Sequence, residues 1–196
     1  MIIYDSHFIM LSGPSGIGKT SALKSLRRFR FRRVIPTTTR ARRISEDPSN
    51  YHFLSFDEYI RKTNRQQILL SLFILGNFYG YQIADLVTNS QSNLDNLHVL
   101  EVYTPFVSEF KTTLVNARSI IMLPHDLDLI KQRMNLRGDD TISVEFRLQS
   151  AQIEIQTYES TPDLFDEVVI VKRNDTIYDV ERNLIKAMQK CMRKGF

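Results

Sequence analysis

Along the chain, apolar residues gather into two kinds of run. Largely apolar blocks of strand length occur at 8–11, 98–103, 119–123 and 168–171. Such blocks, with little polar alternation, fit strands of a parallel sheet that is covered on both faces. Between them, apolar positions at helical spacing predict helices over 21–29, 127–136, 142–158 and 177–192. Ser55, followed by Asp57 and Glu58, reads as the N-cap of a further helix reaching about residue 64. Asp126 caps the 127–136 helix and Gly138 ends it. A short strand is predicted at 32–35, closed by Pro36 and a threonine run. The apolar stretch 67–75 meets 78–81 through Gly76-Asn77, a Gly-first two-residue hairpin signal. Residues 82–96 are helix-compatible, and Pro105 sits at a helix start. Strands alternating with helices imply a parallel α/β sheet whose ligands lie beyond the strand ends.

The candidate chemistry starts between the first strand and the first helix, with Gly13-Pro14-Ser15-Gly16-Ile17-Gly18-Lys19-Thr20. Gly, four residues, then Gly-Lys-Thr is the phosphate-loop pattern, and strand-loop-helix is the context in which it works. Glycines let successive backbone N–H groups converge on phosphate oxygens, and the helix adds the positive end of its dipole. Gly13, Ser15, Gly16 and Gly18 are therefore assigned to ATP phosphates, Lys19 to the β- and γ-phosphates and Thr20 to Mg²⁺.

Composition adds limits. The chain has 196 residues, 42% of them hydrophobic and 24% charged, which is ordinary for one globular domain with embellishments. No apolar stretch approaches the ~20 residues of a membrane span. The N-terminus lacks the basic start and cleavage site of a signal peptide, and a lone cysteine, Cys191, can form no internal disulfide. A soluble cytoplasmic protein is expected. Nine of the 26 Lys and Arg fall within 21–45, where there is no acid; the rest of the chain has 17 against 22 acids, net −5. The formal charge of +4 is thus one basic patch at 24–43, and general nucleic-acid binding is disfavoured. Arg27 to Arg33 read as a solvated helix end and strand flank. His7, His52, His98 and His125 show no metal-ligand spacing.

After the loop come Thr38-Thr39-Arg40, a second arginine at Arg43, Glu46, and Tyr51-His52-Phe53, then Gly76-Asn77-Phe78-Tyr79-Gly80. With the phosphate loop, these segments resemble guanylate kinases over nearly the whole chain. The resemblance implies a P-loop nucleoside-monophosphate-kinase-like fold: a parallel sheet flanked by helices, a small mixed α/β acceptor-binding insertion at 36–96 and a helical lid at 134–159. It implies an ATP-dependent phosphotransferase with Mg²⁺ as cofactor and a small phosphorylated acceptor as partner. Arg40, Arg43, Glu46, Tyr51 and Tyr79 match the acceptor's phosphate-holding segment, and Tyr81 and Tyr103 stand at positions facing the acceptor's base. Arg137 and Arg147 match the lid arginines that act with Lys19 on the transferring group. Arg133 matches an arginine over the adenine ring, Asn174 an asparagine near the base, and Glu101 the acidic position that orients Mg²⁺ beside Thr20.

The sequence departs from the family where guanine is read. Pro36 and Tyr81 replace serines, Leu70 replaces a glutamate and Tyr103 an aspartate. Two carboxylates that would accept guanine's N–H donors are missing, so selectivity for guanine is in question while the phosphate-holding residues remain. A nucleoside monophosphate is the expected acceptor class. A phosphosugar kinase and a non-catalytic guanylate kinase-like binding module are the alternatives, and the oligomeric state is left open.

Overall fold

The computed structural model describes residues 7–26, 29–43, 46–87, 97–136, 138 and 140–195. Its centre is an all-parallel five-stranded sheet formed by β1 (His7–Ser12), β2 (Arg32–Arg33), β7 (Leu97–Glu101), β8 (Ala117–Pro124) and β9 (Glu167–Val171), in the order β2-β7-β1-β8-β9. The apolar blocks form strands because both faces are covered. On β1, Ile9 and Leu11 enter one core with Leu23, Val99, Met122, Leu184 and Met188. Phe8 and Met10, pointing the other way, enter a second with Leu100, Val107, Phe110 and Ile121. The period-2 alternation thus separates two cores rather than a core from solvent.

Helices α1 (Lys19–Ser25) and α7 (Ile177–Arg193) cover the first face, and α4 (Val107–Thr113) covers the second. Helix α7 begins with a capping box in which Thr176 and Asp179 satisfy each other's backbone N–H groups. Its apolar stripe ends on Cys191, fully buried, with burial pushing the thiol up to about 11. Helices α5 (Leu127–Leu136) and α6 (Thr141–Ser160) share a small cluster of Ile130, Met134, Val144 and Ala151. Among the described residues no helix is long and apolar enough to cross a membrane.

A second sheet, in the order β4-β3-β6-β5, contains β3 (Pro36–Thr38), β4 (His52–Phe53), β5 (Ile68–Ile74) and β6 (Asn77–Gln82). Helix α2 (Phe56–Asn64), capped by the Ser55–Glu58 box, lies against β5. The short α3 (Ile83–Leu86) covers the start of the expected 82–96 helix, and residues 88–96 lie outside the described set.

One local expectation is corrected. The hairpin turn is formed by Leu75 and Gly76, at φ 48° and 77°, one residue earlier than the sequence implied. Positive φ at both turn residues matches the right-handed strand twist. Asn77 joins β6, its side-chain amide donating to the Leu75 carbonyl at 3.0 Å. Strand β5 also carries a bulge: Leu69 pairs with Tyr81 but Leu72 with Tyr79, and Leu70 within it has φ 53°.

Candidate active site

The loop after β1 has a shape set by its main chain. Gly13, Gly16 and Gly18 have φ of 121°, 87° and 104°. At Gly13 the constraint is absolute, because a Cβ there would stand 2.0 Å from the Met122 carbonyl oxygen of β8. Gly18 is the N-cap of α1, so the loop leads into a helix N-terminus. Lys19 folds over the loop and its Nζ donates to the carbonyls of Gly13 and Pro14. The Thr20 hydroxyl donates to both Glu101 carboxylate oxygens, at 2.9 and 3.1 Å. Glu101 closes β7, next to β1, at the carboxyl end of the parallel strands where such sheets hold ligands. One hydroxyl and one carboxylate are hard oxygen donors of the kind Mg²⁺ takes, with other positions left for phosphate oxygens and water.

Arg33, read from the sequence as part of a solvated charge run, instead turns inward. Its Nη2 lies 2.8 Å from Glu101 Oε1, and both side chains are about 15% exposed (15% and 14%). The carboxylate beside Thr20 is thereby held from behind by a cation. Elsewhere in the patch, Arg32 lies 3.8 Å from Asp85 and Lys24 pairs with Asp47, while Arg27 and Arg28 fall outside the described residues.

Behind the loop lies a connection the sequence reading missed. The Gly13 N–H donates to the Thr104 hydroxyl at 3.1 Å. That hydroxyl donates at 2.5 Å to Glu154, which also accepts from the Thr104 N–H at 3.3 Å. Glu154 is 3% exposed. Burial raises its pKa, and the nearby Lys19 charge partly offsets that. A signal was present: Val144, Arg147, Ala151 and Glu154 share one face of α6, and a carboxylate on a helix's buried stripe requires a partner.

Arg133, on α5, donates from Nη1 to the Ile17 carbonyl at 2.7 Å and packs beside Gly18, where burial lowers its pKa. Arg147, on α6, lines the same cleft. Arg137 lies outside the described residues. Asn174 is exposed in the turn after β9 and is not among the cleft-lining residues, because that turn faces solvent.

The opposite wall comes from the second sheet. Arg40, two residues past β3, donates from Nη2 to both Glu46 oxygens at 2.9 Å. Its guanidinium carbon lies 5.2 Å from the Tyr51 ring centroid and 5.6 Å from that of Phe53. Glu46 also accepts from the Arg43 N–H at 3.3 Å, so one carboxylate orders the segment carrying both arginines. Tyr51 and Tyr79 meet edge-on with centroids 6.4 Å apart. Burial, and then the charge of Glu101, pushes the Tyr51 phenol up to about 12, which keeps it a donor at neutral pH. Tyr81 is 4% exposed, stands edge-on to Phe110 and donates its hydroxyl to the Glu101 carbonyl. The hydroxyl expected to face the acceptor is therefore already committed to the main chain of β7. Tyr103 accepts from the Ser150 hydroxyl at 3.2 Å and packs on Phe106.

One cleft of ≈1210 Å³ has the glycine loop, Lys19 and Thr20 on one side and Arg40, Arg43, Tyr51 and Tyr79 on the other, with Glu101, Tyr103 and Glu154 also in its lining. Arg133 and Arg147 also line it. Among the described residues no cluster of three or more His, Cys, Asp or Glu could hold a metal by itself.

The family model described as guanylate kinase matches residues 5–191. The guanylate kinase of Synechococcus sp. is 32% identical over 172 residues, 86% of this chain and 91% of the relative. That of Rickettsia bellii is 31% identical over 187 residues, 93% of this chain and 95% of the relative. In fold, the structure is similar to the crystal structure of guanylate kinase from Anaplasma phagocytophilum, with a TM-score of 0.69 at 22% identity, covering 100% of this chain and 89% of that one. A parallel sheet carrying a glycine loop, an opposing arginine and tyrosine wall, and these matches together place the chain in the guanylate kinase family, among the phosphotransferases with a P-loop nucleoside monophosphate kinase-like fold.

Proposed function

We propose that this protein moves the γ-phosphoryl group of MgATP onto a small phosphorylated acceptor of the nucleoside monophosphate class. The supporting observation is that one cleft joins the glycine loop to the Arg40, Arg43, Tyr51 and Tyr79 wall. Phosphoryl transfer needs little covalent chemistry from a protein; it needs both phosphates positioned and the developing charge neutralised. The loop N–H groups and Lys19 hold the donor phosphates in this reading. Thr20 and Glu101 hold Mg²⁺, which neutralises charge on the phosphate oxygens when bound. Arg33 fixes the Glu101 carboxylate, and Arg133 braces the loop through Ile17. On the acceptor side, two guanidinium groups and two phenols suit a phosphate monoester dianion. Residues 36–96 form the acceptor-binding insertion, and 134–159 the lid whose arginines, Arg147 and Arg137, come to the transferring group as water is excluded. ATP supply goes with a cytoplasmic location.

Incubating the protein with MgATP and a panel of phosphomonoesters, with ADP release as the readout, tests the reading. Lys19→Ala should lower kcat by about 10²–10³, as loss of one positioned charge-stabilising donor does, while the melting temperature is retained. Unchanged turnover in a folded Lys19→Ala protein rules the reaction out at this site.

A further inference from the structure

We infer that the acceptor half of the cleft does not read the hydrogen-bonding edge of guanine, and that it holds its monophosphate by the phosphate and by apolar contact with the rest of the molecule. The inference rests on the phosphotransferase reading of the same site and concerns what that site selects.

Guanine presents N1–H and an exocyclic amine as neighbouring donors. A pocket that recognises them must offer acceptors where water does not compete. Four carboxylates line the cleft among the described residues: Glu46, Asp47, Glu101 and Glu154. Each is already engaged. Glu46 accepts from Arg40 and the Arg43 N–H, and Glu101 from Thr20 and Arg33. Glu154 is taken by Thr104, and Asp47, at the cleft's outer edge, by Lys24 and Ser49.

The wall to which β3, β5, β6, α4 and the residue after β7 contribute is instead mostly apolar: Pro36, Leu70, Leu72, Val102 and Phe110, with the ring of Tyr81. The Tyr81 hydroxyl, the polar end of that ring, is spent on the Glu101 main-chain carbonyl. The bulge at Leu70 keeps a leucine side chain among the lining residues although the strand changes register there. Asn50 also lines the cleft and its Oδ1 is buried without a partner, but it adjoins Tyr51 at the phosphate-holding end. Tyr103 and Ser150 add two hydroxyls to the lining, and these bond to each other. Phosphate recognition is thus densely polar, while the surface beyond it is mostly apolar and offers no unengaged carboxylate to guanine's donors. Such a wall favours a flat, weakly polar body over one ringed by hydroxyls, because each unpaired buried hydroxyl weakens binding.

Calorimetric titration of the wild-type protein, in MgADP, with GMP, IMP, AMP and ribose 5-phosphate reads the inference directly. IMP lacks only guanine's exocyclic amine, AMP also lacks the N1–H, and ribose 5-phosphate lacks the base. The three nucleotides should bind within about tenfold of one another, and each at least tenfold more tightly than ribose 5-phosphate, since burying a base-sized apolar surface exceeds the ~1.4 kcal/mol of one decade. A GMP preference above tenfold over IMP and AMP overturns the inference, as does ribose 5-phosphate binding as tightly as the nucleotides, or none of the four binding. In a second arm, Leu70→Glu places a carboxylate on the wall and should tighten GMP relative to AMP at least tenfold; an unchanged ratio in the folded variant overturns the role given to this wall. Because binding is measured, a protein that binds these ligands but turns none over counts against the proposed reaction and leaves the selectivity result intact.

Discussion

The two halves of the cleft are built from different materials. The donor half is shaped by main chain: three positive-φ glycines and a neighbouring strand's carbonyl leave little freedom in residue type. The acceptor half is side chain, displayed from strands two to seven residues long, and its shape depends on pairings such as Arg40 with Glu46 and Tyr81 with Glu101. A main-chain site tolerates no substitution at its tightest points. A side-chain site can keep its phosphate contacts while its other contacts change, and here Arg40 and Tyr79 accompany a wall of leucine and tyrosine.

Three variants probe that contrast. Gly13→Ala should have the largest effect, because its Cβ would meet the Met122 oxygen at 2.0 Å and its φ of 121° disfavours any side chain. Overpacking and backbone strain together cost about 2–6 kcal/mol. Thermal melting should show a large loss of stability, and a melting temperature equal to wild type would refute the main-chain account. Arg40→Ala should act on one half alone. Losing a charged hydrogen-bonding group typically costs about 1.5–3 kcal/mol, so acceptor KM should rise ~10- to 100-fold while MgATP KM stays within about twofold. Equal losses for both substrates in steady-state kinetics would break the division.

Glu154→Gln should be the mildest, and it probes the connection behind the loop. The Glu154 carboxyl has a raised pKa in the folded protein, so the native state holds its proton at pH values where the unfolded chain has released it. Stability from this group is therefore lost as pH rises through the ordinary value of 4.5 towards the raised one. The glutamine variant lacks that loss. Its melting temperature relative to wild type should climb between pH 4 and pH 8, and a pH-independent difference would contradict the buried-carboxylate description.

Elements whose pattern agreed with their packing were legible in the sequence. Helix α5 has the expected bounds, and β1, β8, β9, α6 and α7 lie within two residues of expectation, because apolar runs and capping residues mark the same ends. Strand β3 was not legible. It starts at a proline and continues with Thr37 and Thr38, both fully buried, so its stability rests on bonds such as Thr38 Oγ1 to the Phe78 carbonyl rather than on hydropathy. Helix α1 ends at Ser25, short of the expected 29. In the site, the glycine loop announced itself because its residue types are dictated by backbone geometry. The Arg33–Glu101 pair did not, because it joins positions 68 apart and a run of arginines reads as solvated surface until the sheet brings β2 beside β7. The partner of Glu154 was not legible either, because Thr104 lies 50 positions away and only the packing of α6 behind the loop brings the two together.

The placement of β1 between β7 and β8 bears on how the chain acquires its shape. The hairpin of β5 and β6 closes across two residues and can form locally, within microseconds. The pairing of His7 with Leu97 first requires the whole intervening segment to be looped out, at an entropic cost of about 4 kcal/mol. The Met122 carbonyl that defines Gly13 comes later still in the chain. During synthesis, then, the phosphate loop emerges well before β8 but acquires its shape only after β8 has been made, and a nascent chain that stops short of β8 has the residues for gripping a triphosphate without the geometry.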